Sequence, residues 1–222
     1  MTGIERLHEI TTRLRNPETG CPWDRVQTLQ TLKPCVLEET YELLAAMDKP
    51  EDQENHIEEL GDVLLQVMFQ SVMAEQEGKF TFDDVANAVA DKLVRRHPHV
   101  FGNVDANDEA TVMKNWERIK QMEHRKELRH SALDGVPDAL PALLKAQRSQ
   151  EKAARIGYEQ DVGVAGKSTR SPREDFGLRL FEMCKEAKRQ GIDAESALNE
   201  VTAQFAAEFR QWEDARRTDT GK

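Results

Sequence analysis

The chain has 222 residues, a formal net charge of −10 and charged side chains at 32 % of positions. That acidity argues against nucleic acid as a main partner, and an anionic ligand would need a local metal or basic cluster to offset the field. Three cysteines, Cys21, Cys35 and Cys184, show no CxxC spacing, so neither a disulfide framework nor a zinc site is expected and a reducing cytosol fits.

In chain order, Ile4 to Arg15 carries an apolar stripe at Ile4, Leu7, Ile10 and Leu14 and is expected to be a helix. Asn16-Pro17-Glu18-Thr19-Gly20 ends it, and Cys21-Pro22-Trp23-Asp24 follows as a loop. Trp23 there fits a core plug or a stacking surface for a flat ligand, the plug being the simpler reading. Thr28 to Met47 is expected as a second helix, bent at Pro34. Glu51 to Gln76 is expected as a third, stopping at Gly78.

Acids sit at helical spacing on both of these helices. Glu38 and Glu42 are four apart, Glu39 and Glu42 three apart, and Glu59 and Asp62 three apart again. Such spacings put side chains on one face, where like charges repel. Solvated helix faces would account for one such cluster. In the second, Val63, Leu64, Leu65, Val67, Met68, Phe69, Val72 and Met73 surround the helix, so it is expected to be buried from the acids onward. Buried carboxylates need a partner or a metal, and oxygen ligands suit a hard cation such as Mg²⁺.

Thr81-Phe82-Asp83-Asp84 has the form of a capping box opening a fourth helix, which ends before Pro98. Lys92 and Arg96 lie four apart, close to its apolar stripe. They either snorkel past that stripe or meet the phosphates of a metal-bound ligand. Arg95 to Gly102 is a turn with clustered cations, and Asn103 to Asn107 a loop. Glu109 to Arg129 is expected as a fifth helix carrying Trp116 and Lys120, with a charged, solvent-exposed second half. Ser131 to Pro141 is the natural boundary, dividing the chain into 1–130 and 131–222. Helices over Leu140–Arg155, Glu174–Gln190 and Asp193–Arg217 follow, with a Gly157–Arg173 loop between the first two. No strand pattern competes, so the fold class is all-α. No apolar run reaches membrane length, and the N-terminus lacks the basic start and apolar stretch of a signal peptide.

The second half echoes the first. Glu58–Leu65 aligns with Glu174–Phe181, with Leu178 opposite Asp62. Further on, Gln204 and Glu208 stand opposite Lys92 and Arg96. The Glu38–Glu42 helix has no counterpart. If the halves share ancestry, only the first keeps a full set of charges.

These residues together resemble the MazG family of nucleoside triphosphate pyrophosphohydrolases, of the all-α pyrophosphatase superfamily. The strings that carry the resemblance are Cys21-Pro22-Trp23-Asp24 with Gln27-Thr28, Leu37-Glu38-Glu39-Thr40-Tyr41-Glu42, Glu59-Leu60-Gly61-Asp62, Asp91-Lys92-Leu93 and Arg96-His97-Pro98-His99-Val100-Phe101-Gly102. The match is good from Ile4 to Lys120, and Leu140 to Trp212 resembles the second domain of tandem members. The resemblance implies a helical-bundle enzyme that hydrolyses an NTP or dNTP to the monophosphate and pyrophosphate with Mg²⁺, or Mn²⁺ in its place. By motif match Glu39, Glu42, Glu59 and Asp62 would hold the metal and Glu38 would orient or deprotonate water. Lys92, Arg96 and Lys120 would meet phosphates, with Trp116 and the Trp23 loop near base or sugar. A homodimer in the cytoplasm, upkeep of the nucleotide pool and no membrane partner complete the expectation. Because the second repeat lacks the acid pairs and both cations, its site is expected to be dead.

Two rival readings stand beside this. A ferritin-like di-iron bundle needs two ExxH motifs, which Glu5/His8 and Glu127/His130 formally supply. A non-catalytic nucleotide-binding or helical interaction module suits the degenerate second half.

Overall fold

The computed structural model describes residues 1–104, 108–122, 131–158 and 170–219. Parts of the Asn103–Asn107 and Gly157–Arg173 loops, and the charged stretch from Glu123 to His130, lie outside the described residues. Among the described residues there are nine α-helices and no strands. Contacts divide the chain into a first unit, Met1–Met122, and a second, Glu123–Lys222.

In the first unit, α1 (Gly3–Leu14) opens on a capping box. Thr2 Oγ1 accepts from the Glu5 amide at 3.2 Å, and the Glu5 carboxylate accepts from the Thr2 amide at 2.6 Å. These two bonds satisfy donors that a helix start otherwise leaves bare. After α1 the chain doubles back tightly at Gly20. A Cβ there would lie 2.4 Å from the Leu14 carbonyl oxygen, so the turn into the Cys21–Asp24 loop requires glycine.

Helix α2 (Lys33–Met47) begins later than the Thr28 expected of it. Thr28 and Thr31 instead close a polar turn, with the Thr28 amide bonded to Thr31 Oγ1 at 2.8 Å. Pro34 therefore sits in the first helical turn, where its missing N–H costs nothing, and does not bend a longer helix. Helix α3 (Gln53–Gln76) is capped by Asp52 and ends with Gly78 at φ +66°, as its glycine led one to expect. Helix α4 (Phe82–Arg96) starts on the Thr81/Asp84 capping box. The following turn contains a short helix, α5 (Pro98–Phe101), and α6 (Glu109–Met122) completes the unit.

Helix α3 is central: it packs on α1, α2 and α4, while α4 also packs on α6. Its C-terminal half carries the core, with Met68, Phe69, Val72, Met73 and Ala74 buried. Leu32 closes over Phe69 and Met73, and the Arg15 guanidinium lies 5.1 Å from the Phe69 ring centroid. Glu75 joins three helices. Its Oε2 meets His8 Nε2 at 2.7 Å, and its Oε1 accepts from the Phe82 amide at 3.2 Å.

The expectation of an α3 buried from its acids onward does not hold within the single chain. Val67 is 39 % exposed, and Val63, Leu64 and Leu65 are only half-buried. An apolar side chain at a given spacing will face whatever covers it, and here the buried stretch of α3 begins only at Met68.

The second unit comprises a 3-10 turn at Ala132–Gly135, α7 (Ala142–Ala154), α8 (Pro172–Arg189) and α9 (Ala194–Asp219), mutually packed. Buried Gln147 ties the three helices: its Nε2 donates to the Cys184 carbonyl at 3.2 Å and the Ile192 carbonyl at 2.9 Å, and its Oε1 accepts from the Ala194 amide at 2.9 Å. Glu195 Oε2 accepts from the Leu143 and Leu144 amides, placing a negative charge on the positive end of α7. No described helix is long and apolar enough to cross a membrane.

Candidate active site

Packing α2 on α3 brings together acids that are far apart in sequence. Glu39 and Glu42, three apart on α2, share one face, and Glu59 reaches them from α3. One carboxylate oxygen from each of the three lies within 4.8 Å of the others. Asp62 stands one turn beyond Glu59, and its charge acts on both Glu39 and Glu59. Glu38, next to Glu39, is exposed.

The electrostatics of this cluster are those of unneutralised charge. Lost hydration holds the Glu39 carboxyl above the usual carboxylate range, and Asp62, Glu42, Glu38 and Glu59 push it further. Glu59 is raised in the same way, by lost hydration and then by Glu42, Asp62 and Glu58. Glu59 Oε2 is shielded from solvent and has no hydrogen-bond partner. A shielded carboxylate oxygen without a donor is costly unless a cation meets it. Three oxygen donors, no nitrogen or sulfur, and one orphaned oxygen fit a hard divalent ion.

Arg96, at the end of α4, lies with its guanidinium 5.2 Å from the centroid of the Trp116 ring on α6. The two were singled out separately by sequence; the structure makes them a cation–π pair. Lys92 is half-buried one turn before Arg96. The Lys120 side chain lies outside the described residues. Trp23 is 54 % exposed, so it is not a core plug. Its loop is held by bonds to the backbone instead: Gln27 Nε2 donates to the Trp23 carbonyl at 2.9 Å, and Arg15 Nη1 donates to the Asp24 carbonyl at 2.7 Å.

His97 and His99 lie with ring centroids 5.6 Å apart, and the shielded Nδ1 of His99 has no partner. Sequence reading counted these two only as cations in a turn. The signal for more was the alternation of two histidines about Pro98, directly after Arg96. The di-iron alternative loses its first motif: Glu5 is engaged with Thr2 and His8 with Glu75. Its second, Glu127/His130, lies outside the described residues.

Comparison with known proteins identifies the family. The MazG nucleotide pyrophosphohydrolase domain matches residues 27–101, which span the acid cluster, Lys92 and Arg96. The chain is 40 % identical to the nucleoside triphosphate pyrophosphohydrolase of Escherichia coli strain K12, over 96 % of its own length and 88 % of that protein's. It is 39 % identical to a protein of Thermotoga maritima named nucleoside triphosphate pyrophosphohydrolase/pyrophosphatase MazG, covering 95 % and 86 % of the two chains. With its helical fold and its acids gathered on α2 and α3, the chain belongs to the MazG nucleotide pyrophosphohydrolase family.

Proposed function

We propose that the first unit hydrolyses a nucleoside triphosphate, ribo or deoxy, to the monophosphate and pyrophosphate, with Mg²⁺ or Mn²⁺ held by Glu39, Glu42, Glu59 and Asp62. The observation that carries this reading is the three-carboxylate cluster with the orphaned Glu59 oxygen. The bound ion supplies positive charge at the phosphates and makes pyrophosphate a good leaving group.

The protein's own groups do the rest. Glu38, exposed beside Glu39, orients the attacking water or takes its proton. Lys92, Arg96 and Lys120 offset charge on the phosphates. Trp116, backed by Arg96, and the exposed Trp23 offer flat apolar surfaces to base or sugar. The second unit is a degenerate second repeat of the same domain and carries no chemistry. Glu174, opposite Glu58 in the internal alignment, supports this reading: it caps α8, accepting from the Ser171 amide at 2.9 Å.

The working form is a homodimer. Leu37, Tyr41 and Leu44 on α2 and Ile57 and Leu60 on α3 are exposed on the two helices that bear the acids. A second copy covering them would dry the site and strengthen every charge interaction in it. A cytoplasmic enzyme of nucleotide-pool upkeep fits these features.

The test is pyrophosphate release from a panel of nucleoside triphosphates, with Mg²⁺, with Mn²⁺ and in chelator. Release that depends on the ion and vanishes in Glu59→Ala is the expected result. Full turnover in chelator would rule out the carboxylate site.

A further inference from the structure

Helix α9 is longer than its counterpart in the first unit. The internal alignment sets Gln204 and Glu208 opposite Lys92 and Arg96. Helix α4 ends at Arg96 after 15 residues, whereas α9 runs for 26, past Glu208 to Asp219. At 1.5 Å per residue α9 is about 39 Å long. The added turns bring two large rings, Phe209 and Trp212.

These rings extend an apolar stripe. Leu198, Val201, Phe205, Phe209 and Trp212 are spaced by three, four, four and three residues, which puts them on one narrow face. All five are open to solvent, at 46–68 % exposure. Phe205 and Phe209 stack with centroids 6.4 Å apart, Phe209 and Trp212 at 5.6 Å, and the Arg216 guanidinium lies 4.7 Å from the Trp212 centroid. Along one edge, Gln204 Nε2 donates to Glu208 Oε1 at 2.9 Å. From the areas such side chains bury and the exposures here, the stripe leaves roughly 500 Å² of apolar surface open. At the apolar share of about 65 % found in homodimer interfaces, that corresponds to roughly 800 Å² per copy, the size of a standard specific interface.

The spacing selects the occupant. It reads the same in both directions from Phe205, so the stripe is complementary to itself about a two-fold axis. Antiparallel pairing sets Leu198 against Trp212, Val201 against Phe209 and Phe205 against the same residue of the second copy. A smaller side chain meets a larger one on either side of the axis, as interdigitating layers require. The basic last turn, Arg216 and Arg217, comes level with Asp193 and Glu195 at the start of the other helix. Parallel pairing would instead oppose Trp212 to Trp212 and Glu208 to Glu208, and would align the two helix dipoles. We propose that two copies of this chain pair through α9, antiparallel and centred on Phe205. The proposal concerns the second unit alone and stands with or without pairing through α2 and α3, and with or without triphosphate hydrolysis by the first unit.

The experiment is oxidative cross-linking of the full-length protein, read on non-reducing gels beside the parent, with the native Cys21, Cys35 and Cys184 kept throughout. Leu198→Cys/Trp212→Cys should form covalent dimers at least tenfold faster than Leu198→Cys or Trp212→Cys alone. Antiparallel pairing brings position 198 against position 212 and holds like positions 14 residues, about 21 Å, apart, too far for a disulfide. Adding Phe205→Glu, at an exposed position, should remove the tenfold gain, with circular dichroism establishing that the chain remains folded. Single variants that cross-link as fast as the double would reveal parallel pairing or chance collision and would overturn the proposal. A double variant no faster than the parent would also overturn it, and would mean that the first unit or another protein covers the stripe. So would a gain that survives Phe205→Glu.

Discussion

Replacing Gln147 by leucine tests how the second unit is held together. Gln147 is 4 % exposed and bonds the Cys184 carbonyl, the Ile192 carbonyl and the Ala194 amide. Leucine is close in volume but can make none of these bonds. Cys184 lies inside α8, where the helical ladder still uses its carbonyl. The Ile192 carbonyl and the Ala194 amide, at the turn into α9, lose the partner they have. Two orphaned groups cost roughly 1–3 kcal/mol each, and the leucine side chain returns about 1 kcal/mol by apolar burial, for a net loss of about 3 kcal/mol. A tenfold change corresponds to about 1.4 kcal/mol, so amide exchange in α7, α8 and α9 should quicken about 100-fold. Hydrogen exchange read by mass spectrometry separates these helices from α1–α4, whose protection should not change. A loss below about 1 kcal/mol, or one confined to the α8–α9 turn, would refute the view that Gln147 holds three helices at once.

The other predictions concern the acids. Glu42→Gln or Asp62→Asn should abolish pyrophosphate release while circular dichroism stays native; near-normal rates in either would remove that residue from the metal site. Glu174→Ala/Asp175→Ala should leave the rate nearly unchanged and lower stability by about 1 kcal/mol, because Glu174 serves a helix cap; an inactive but folded double variant would move the chemistry to the second unit. In chelator, Glu39 and Glu59 bind protons more tightly in the folded chain than in the unfolded one. The stability this contributes is full below the ordinary glutamate value, about 4.3, and is lost as pH rises through the raised folded values. The Tm of the parent should therefore fall relative to Glu59→Gln over that rise, and Mg²⁺ should reverse the gap at neutral pH; a gap that is flat in pH would contradict the crowding of the acids. Mg²⁺ at 100 times its Kd should raise parent stability by about 2.7 kcal/mol and leave Glu59→Gln nearly unmoved, as read by thermal melting.

Local chemistry was readable where the deciding partners are near in sequence. Thr81 and Asp84 cap α4 because both belong to one turn, and three-residue spacing put Glu39 and Glu42 on one face. Glu59 joined them because adjacent helices with a short connection pack antiparallel. The start of α2 was placed too early because Thr28 to Leu32 has helical spacing, while the turn closed by Thr28 and Thr31 depends on side-chain geometry. Burial was overread at Val63, Leu64, Leu65 and Val67, since periodicity says which side chains share a face and not what lies over it. The Arg96–Trp116 contact and the role of Gln147 depend on helix packing over tens of residues. A glutamine in an apolar stripe looks the same in sequence whether it holds three helices or points into water.

The contact between His8 and Glu75 spans 67 positions of the chain. It has a consequence for the order in which the protein is made. Helix α1 has 12 residues, too few to be stable alone in water, and the side it buries, with Thr11 fully buried and Leu7 half-buried, packs on α3. At a synthesis rate of roughly 5–20 residues per second, α3 is complete about 3–12 s after α1. For those seconds α1 lacks the helix it packs on and His8 lacks Glu75, and a slower ribosome lengthens the interval in proportion.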